Sequence, residues 1–259
     1  MAPAEGEAPR ASGTRLGVVH GHSLPAGTSL DAHVDDVVGG GGDARGPRSG
    51  ATRETREQPP LFLPRHGIDL ETPAHLVDHH ANVRALCDAG CDRVLALGSV
   101  GSLRPDVAPG TLLCPDDFFA PGIAPSFYDD VRGHSIPGFD PDWRERVVSG
   151  WHGVGELELA DGGVYAQMRG PRFESPAEVR MLASHADVVG MTIAAEAILA
   201  REAGLAYAAV CTVDNFANGL GPEPLAIEEY RAERDRLAPR VIADLERVLP
   251  ALAGGRDSA

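Results

Sequence analysis

Residues 190–219 read GMTIAAEAILAREAGLAYAAVCTVDNFANG. We predict a helix over Ala194–Ala203, which Gly204 would end, since glycine is a common residue just past a helix C-terminus. The next run, Leu205–Val213, is continuously apolar, the pattern of a central strand that is covered on both faces. A helix that leads directly into a buried strand indicates an α/β protein.

The same alternation extends in both directions along the chain. Short apolar runs predict strands at residues 15–19, 61–63, 93–97, 111–114, 157–159, 164–168 and 188–189. Apolar residues near helical spacing predict helices at 74–89, 143–148, 177–184 and 227–249. We therefore expect one α/β domain over residues 15–250, with a mixed central β-sheet flanked by helices. Residues 1–14 and 251–259 are predicted to be tails, the first of them disordered, and 25–60 to be irregular or disordered.

Composition excludes several classes of function. With 43% hydrophobic and 24% charged residues among 259, the chain is typical of a soluble globular protein. It has no apolar run long enough to span a membrane, and its first 15 residues lack the apolar core of a signal peptide, so we expect a cytoplasmic location. The net charge of −15 argues against a nucleic-acid partner. The chain has no lysine, which excludes a Schiff-base or Walker-type lysine, and its four cysteines lack the paired spacing of a zinc site.

Four polar turns follow predicted strands. They are Gly21-His22-Ser23, Arg65-His66, Gly98-Ser99 and Asp214-Asn215. Ligands of α/β proteins collect beyond the carboxyl ends of the strands, so these turns are candidates for one binding site. Each of them alone has a simpler interpretation, since Gly-His-Ser is usually an ordinary turn and Arg-His usually lies on the protein surface.

Several longer motifs set these turns in a common context. They are LPRHG (63–67), HANVRAL (80–86), SVGSLRPD (99–106), PGTLLCPDDFF (109–119), GPRFES (170–175), GMTIAAEAILAREAGLAYA (190–208) and VDNFANG (213–219). In this order and spacing the chain resembles the trimeric, type I nucleoside phosphorylases, the purine nucleoside and methylthioadenosine phosphorylases, from about residue 61 to residue 219. The resemblance implies the nucleoside phosphorylase fold, a homotrimer, and a reaction in which phosphate attacks the anomeric carbon of a nucleoside. The products are a free purine and a sugar 1-phosphate, and phosphate as co-substrate is the one addition required, with no metal or organic cofactor.

The resemblance also implies a phosphate site. A guanidinium can hold two phosphate oxygens at once, which suits Arg65, and His66 matches the family's phosphate histidine. The Thr192 hydroxyl and the Ser99 hydroxyl and amide would complete the cradle, while Gly98 would allow close backbone approach.

The first phosphate loop departs from the family pattern of Gly-Gly-Thr-Gly or Gly-Gly-Ser-Gly. Here the stretch is His20-Gly21-His22-Ser23, so either Ser23 supplies the hydroxyl or His22 contacts phosphate itself. A bulky imidazole at this point could also weaken the binding of phosphate.

The base site is the second implication of the resemblance. Glu174, directly after Phe173, matches the base-binding glutamate of the hypoxanthine/guanine branch, and Asn215 matches the residue that contacts N7. In a 6-oxopurine N1 carries a hydrogen that a carboxylate accepts, whereas adenine has a bare N1. Ala217, where the aminopurine branch has an aspartate, agrees with this reading, and Met191 matches the methionine beneath the ribose. Asn215, Glu174 and His66 are the implied catalytic residues.

Other functions stay open at this point. A phosphorylase for 5′-methylthio or 5′-deoxy nucleosides would use the segment after Gly219, including Leu225 and Ile227, to cover an apolar 5′-group. A purine-binding homologue with impaired catalysis would explain the altered first loop. A dinucleotide-dependent dehydrogenase would need a glycine-rich turn after the first strand, which residues 17–23 do not supply. His134 lies near the family's 5′-group histidine, although a surface histidine is the simpler interpretation.

Overall fold

The computed structural model describes residues 7–21, 59–67, 71–221 and 225–254. The predictions for His22, for Ser23 and for nearly all of 25–60 lie outside the described residues. So do residues 1–6 of the predicted N-terminal tail and 255–259 of the C-terminal one. Residues 7–14 of the predicted disordered tail pack on the fold instead, since Ala8 is buried in the core and the Ala11 N–H donates to the Ala203 carbonyl at 3.0 Å.

A mixed sheet forms the centre of the fold. Its strands in the described ranges are β1 (Arg15–His20), β2 (Leu61–Pro64), β3 (Cys91–Ser102), β4 (Leu112–Cys114), β5 (Asp117–Phe119), β6 (Leu159–Asp161), β7 (Val164–Gln167), β8 (Val188–Gly190) and β9 (Ala206–Phe216). The main order is β5-β7-β8-β3-β9-β4-β6, and β1 lies between β2 and the first half of β3. The β3–β8 and β4–β9 pairs are antiparallel, and the other pairs are parallel.

Helices cover both faces of this sheet. They are α1 (His79–Asp88), α2 (Pro141–Val154), α3 (Pro176–Leu182), α4 (Ile193–Ala203) and α5 (Ile227–Ala253), with 3₁₀ turns at Ala74–Leu76 and Val131–Gly133. Local sequence sets several helix ends. Asp140 accepts a hydrogen bond from the Trp143 N–H at 2.9 Å, Ser175 and Glu178 form a capping box, and Gly204 takes a φ of 75° after α4.

Strand β9 is buried on both sides, as its apolar run predicts. Tyr207, Ala209 and Cys211 belong to the core shared with α1 and α4, and the alternate residues Ala208 and Val210 belong to the core shared with α2 and α5. This alternation follows from the twofold period of a strand. The α/β fold with a mixed sheet is therefore confirmed. No helix in the described ranges combines the length and the apolar character needed to cross a membrane.

Two predicted turns are wrong. Residues 98–102 continue β3, and Asp214 and Asn215 lie within β9, because the two strands pair in parallel from Arg93 and Ala206 to Ser102 and Phe216. The ladder supplies backbone hydrogen bonds that outweigh the turn preference of small and polar residues. Within the predicted turn the structure shows only a shift in the pairing register, between Val100 and Gly101.

Further assignments differ from prediction. The predicted strand 157–159 lies two residues later, at Leu159–Asp161, and the predicted helix 143–148 extends over Pro141–Val154. The predicted helix 74–89 is a 3₁₀ turn followed by α1, because Asp78 accepts a hydrogen bond from the Ala81 N–H at 2.9 Å and starts a new helix there. The three-residue strand β5 was not predicted. Helix α5 continues to Ala253, so it includes the first three residues of the predicted C-terminal tail.

Candidate functional site

One cavity of about 380 Å³ opens at the carboxyl ends of β2, β3 and β9, beside the N-terminus of α4. Gly21, just after β1, also lines it. Nine of the residues proposed from the sequence meet in its wall: Arg65, His66, Ser99, Phe173, Glu174, Met191, Thr192, Asn215 and Ala217. Chain segments far apart in the sequence thus converge at the edge of the sheet where α/β proteins bind ligands.

Arg65 is buried at the base of this cavity and is already paired. Its Nε and Nη2 atoms donate to the Glu196 carboxylate at 2.6 and 3.1 Å, and its Nη1 donates to the Leu97 carbonyl at 2.7 Å. Burial works to lower the pKa of Arg65, but Glu196 outweighs it and raises that pKa. The two-point grip predicted for an anion is therefore made with Glu196. Each terminal nitrogen keeps one further N–H for a ligand.

His66 lies beside Arg65 with a fixed ring orientation. Its Nδ1 is 2.7 Å from the Thr72 carbonyl, which can only accept, so Nδ1 carries a hydrogen. The ring edge with Nε2 approaches Gly21, where a Cβ would lie 3.1 Å from Nε2 and 3.0 Å from Arg65 Nη1. A side chain at position 21 would thus press on both groups, and glycine there keeps the end of β1 close to them.

Thr192 occupies the N-cap position of α4, yet its side chain makes no capping hydrogen bond. The Tyr165 hydroxyl accepts from the N–H groups of Thr192 and Ile193 at 3.2 and 3.3 Å, and Gln167 Oε1 accepts from the Ala195 N–H at 2.9 Å. Because two other side chains cap the helix, the Thr192 hydroxyl is left for the cavity. The positive end of the helix dipole favours an anion at this place.

Ser99 lies at the cavity wall with a buried acid behind it. Its hydroxyl is hydrogen-bonded to Asp214, which is 2% exposed and lines no part of the cavity, and lies 3.4 Å from the Tyr230 hydroxyl. Burial raises the pKa of Asp214 to about 7, although the Ser99 hydroxyl works to lower it. The carboxyl group of Asp214 is therefore near its titration midpoint at neutral pH.

Glu174 and Asn215 bring a carboxyl and an amide to the same cavity. Glu174 is 6% exposed, and burial raises the pKa of its carboxyl. The Asn218 Nδ2 donates to the Glu174 carbonyl at 3.1 Å and holds the backbone there. Asn215 Nδ2 donates to the Phe216 carbonyl at 2.7 Å, which turns Oδ1 toward a ligand. Together they offer acceptors for ring N–H groups.

The remaining wall is mainly apolar. Met191 lines the cavity, and its carbonyl accepts a hydrogen bond from Gln167 at 3.0 Å. Phe173 meets Tyr230 of α5 edge to face, with ring centroids 5.9 Å apart, and Leu225 lies in the same wall. A flat ring or an apolar substituent would find complementary surface here.

Two sequence-based candidates lie elsewhere. Gly98 is not part of the cavity wall; a Cβ on it would lie 3.4 Å from Cys211 Sγ and from Ile193, so it allows β3 to pack closely against β9 and α4. His134 is exposed and does not line the cavity, as the surface interpretation expects. Among the residues that the structure describes, no group of histidine, cysteine, aspartate or glutamate side chains could hold a metal ion.

The sequence did not predict the buried residues that hydrogen-bond to the cavity wall and fix its side chains in place. Glu196 binds Arg65 and accepts a hydrogen bond from Tyr207 at 2.7 Å, while Tyr165 and Asp214 support Thr192 and Ser99. A glutamate in an otherwise apolar helix, within the stretch 193–200, was the available signal for Glu196, because an unpaired carboxylate is costly to bury. The two tyrosines lie inside predicted strands, where aromatic residues are common, and so gave none.

Several known proteins are similar to this chain over most of its length. The family model of the phosphorylase superfamily matches residues 44–250. The chain is 41% identical over 170 residues to a probable 6-oxopurine nucleoside phosphorylase of Archaeoglobus fulgidus, covering 65% of this chain and 69% of that protein. It is 40% identical over 173 residues to a probable S-methyl-5′-thioinosine phosphorylase of Methanothermobacter thermautotrophicus, covering 65% of this chain and 60% of that protein.

A solved structure shares the fold. The methylthioadenosine phosphorylase of Schistosoma mansoni in complex with tubercidin superimposes with a TM-score of 0.68 at 21% identity, over 92% of this chain and 91% of that one. The mixed sheet with its flanking helices is thus the nucleoside phosphorylase fold. The family model covers most of the chain, and the relatives named above agree with it. The chain therefore belongs to the phosphorylase superfamily, in the family of the purine nucleoside and methylthioadenosine phosphorylases.

Proposed function

We propose that this phosphorylase cleaves 6-oxopurine nucleosides, of the inosine and guanosine type, with phosphate to give the free base and ribose 1-phosphate. The observation that carries the proposal is the presence of Glu174 and Asn215 in the same cavity as Arg65, His66 and Thr192. The first pair suits a 6-oxopurine, and the second group suits an anion.

The base preference rests on hydrogen-bond matching. Hypoxanthine and guanine carry a hydrogen on N1, which the Glu174 carboxylate accepts, whereas adenine would leave that buried carboxylate facing a lone pair. Mismatches of this kind discriminate by roughly 10⁴-fold in sites built for a polar contact. Both relatives named above have 6-oxopurine substrates in their names, which supports the same preference.

The reaction needs an oriented phosphate and a stabilised leaving group. Arg65, His66 and Thr192 would hold phosphate so that one oxygen attacks C1′ as the bond from C1′ to N9 breaks. The bonding electrons stay with the purine, and the hydrogen lost by the phosphate ends on the departing base at N7. Asn215 Oδ1 would accept a hydrogen bond from that N7–H, which favours departure of the base.

A 5′-methylthio or 5′-deoxy nucleoside is the second candidate substrate. The apolar wall of Leu225, Phe173 and Tyr230 would accept a methylthio group, and one relative is named for S-methyl-5′-thioinosine. The two candidates share the same base, so the 5′-substituent alone separates them.

We also propose that the protein is a homotrimer, as its family resemblance implies. Large apolar side chains on its surface, Leu76, Val131 and Ile136, are 63%, 77% and 85% exposed in the single chain. Light scattering coupled to gel filtration should give three times the chain mass of 27.2 kDa. A monomer at micromolar concentration would contradict the trimer.

The test of the reaction is release of free base from inosine, guanosine, adenosine and 5′-methylthioinosine, each with and without phosphate. We expect phosphate-dependent cleavage of the three 6-oxopurine nucleosides and a rate at least about 100-fold lower for adenosine. The ratio of inosine to 5′-methylthioinosine turnover assigns the 5′-preference. Faster cleavage of adenosine would overturn the assignment of the base site, and purine binding without cleavage of any nucleoside would overturn the proposed reaction.

A further inference from the structure

Asp214 is a buried acid that the proposed reaction does not use. It lies in β9 directly before Asn215, it is 2% exposed, and its Oδ2 meets the Ser99 hydroxyl. The other carboxyl oxygen, Oδ1, is buried without a hydrogen-bond partner in the described part of the chain. An ionised carboxylate normally binds several donors, so a single donor leaves this group poorly solvated.

Ser99 connects this acid to the cavity. It lines the wall shared by Arg65, His66 and Thr192, where the proposed function places phosphate. A serine hydroxyl has one hydrogen, which can point either to Asp214 or into the cavity. An anion in the cavity accepts hydrogen bonds and gains only when the hydrogen points toward it.

We propose that Asp214 is a positioning residue that controls the direction of the Ser99 hydroxyl and thereby the affinity of this cavity for a tetrahedral dianion. As a neutral acid, Asp214 donates its hydrogen to Ser99 Oγ, and the Ser99 hydrogen is free to point at the anion. As a carboxylate, Asp214 accepts the Ser99 hydrogen, and Ser99 presents a lone pair to the anion. This inference rests on the proposed function in taking phosphate as the natural anion.

The charged and titratable groups around Asp214 agree with a change of state near neutral pH. From α5, Arg234 lowers the pKa of Asp214 and Glu233 raises it, while Tyr230 faces Ser99. Arg234 is paired with Asp235, and Glu233 with Arg236. The neighbour of Asp214 on β3 is Ser99, which is neutral. The Cys211 thiol, on the same strand as Asp214, also lies near it, and burial raises the pKa of this thiol. Burial is the largest influence and raises the pKa of Asp214 to about 7.

The direction of the pH dependence follows from this. Below about pH 7 the neutral acid predominates, and the anion receives a hydrogen bond from Ser99. As the pH rises through that value the carboxylate forms and the bond is lost. We expect affinity for the dianion to fall about tenfold, the amount that one hydrogen bond to a charged group contributes.

The experiment is calorimetric titration of the full chain with sulfate from about pH 5.5 to about pH 8.5, a range that spans the titration of Asp214. Sulfate stays a dianion over this range, so its own ionisation does not contribute. Wild type is compared with Asp214→Asn, which cannot titrate, with Ser99→Ala, which has no hydroxyl, and with Asp106→Asn, a surface control. Thermal melting verifies that each variant is folded.

We expect the affinity of wild type and of Asp106→Asn to fall about tenfold more across this range than that of Asp214→Asn or Ser99→Ala. Any contribution of His66 or of Glu174 is common to all four proteins and cancels in the comparison. Parallel profiles for wild type and Asp214→Asn, or no sulfate binding by wild type, would overturn the inference. If sulfate binding follows the expected pattern while no nucleoside is cleaved, the proposed reaction is wrong and the role of Asp214 stands.

Discussion

Glu174 is a buried carboxyl group in the cavity wall, and its protonation state decides which purine it fits. Burial raises its pKa, so the neutral acid persists to a higher pH than in an exposed glutamate. The carboxylate accepts the N1–H of a 6-oxopurine in a charge-assisted hydrogen bond, which is stronger than the bond that the neutral acid can make. We therefore expect kcat/KM for inosine to decline on the acidic side, at a pH above the ordinary range of glutamate.

The variant Glu174→Ala should lower kcat/KM for inosine by about 10- to 100-fold at neutral pH, because it removes one charge-assisted hydrogen bond. It should also lose the part of the acidic decline that belongs to Glu174. Steady-state rates measured against pH test both points, with Glu158→Ala, which removes an exposed carboxylate, as the control. An unchanged inosine rate in Glu174→Ala would exclude contact with the base.

The buried ion pair between Arg65 and Glu196 is the basis of a second prediction at the residue scale. Glu196 neutralises a guanidinium that is 3% exposed overall, and the pKa of Glu196 is lowered because Arg65 outweighs the opposing effect of burial. Glu196→Gln would leave this buried positive charge uncompensated, at a cost of about 3–5 kcal/mol in the free energy of unfolding. A bound dianion would supply part of the missing charge and restore part of that stability.

We therefore expect phosphate to raise the melting temperature of Glu196→Gln by more than that of wild type. Tyr207→Phe is the matched control, since it removes a hydrogen bond to Glu196 and keeps both charges. Equal phosphate-induced shifts in wild type and in Glu196→Gln would argue against an anion beside Arg65. The comparison needs no turnover and so is independent of the nucleoside.

At the scale of elements, different residues cap the N-terminus of α4 and present hydrogen-bonding groups to the cavity. Tyr165 and Gln167 cap the helix, and Thr192 in the N-cap position keeps its hydroxyl for the cavity. Thr192→Val should therefore raise the KM for phosphate about tenfold with little change in stability. Tyr165→Phe should instead lower the free energy of unfolding by about 1–3 kcal/mol, because two buried N–H groups lose their acceptor.

Urea unfolding and phosphate saturation curves on the same two variants test this division. The reverse result, with Thr192→Val unstable and its phosphate KM unchanged, would mean that Thr192 caps the helix after all. Glu178→Ala supplies a capping control in α3, where the N-cap side chain does bond to the helix.

The elements also explain where sequence-based prediction succeeds. The continuous apolar run of β9 and the stop at Gly204 are local signals, and both are found where they were predicted. The stretch 98–102 has the composition of a turn, yet it is strand, because its partner β9 is more than 100 residues away in the sequence. Strand pairing between distant segments overrides the local preference for a turn, and it cannot be predicted from neighbouring residues.

For the whole molecule, the cavity wall was largely predictable and its support was not. Motif residues such as Arg65, Thr192 and Asn215 were predicted because their motifs resemble those of the phosphorylase family, and all three line the cavity. Their supports, such as Tyr165 and Asp214, act through contacts between elements that the fold alone brings together. The contacts of Arg93 could not be predicted either, because it is the first residue of the predicted strand 93–97 and is buried in the first half of β3.

Arg93 ties the sheet to the far end of α5. It donates to the carbonyls of Leu252, Ala253 and Gly254 at 3.3, 2.7 and 3.2 Å, and its guanidinium lies 5.7 Å from the centre of the Trp143 ring. The last carbonyls of a helix have no partners within it, so here a buried cation takes their place and suits the negative end of the helix dipole. The other end of α5 supplies Tyr230 to the cavity.

Arg93→Met should lower the free energy of unfolding by about 2–4 kcal/mol, because several buried acceptors lose their donor at once. Its kcat/KM should stay within about twofold of wild type well below the melting temperature, since the cavity lies at the opposite end of β3. Urea unfolding and initial rates measure the two quantities, and Arg132→Met, on the exposed surface, is the control. A large loss of activity without a loss of stability would mean that α5 transmits strain from its C-terminus to Tyr230, and that the two ends of the helix are not independent.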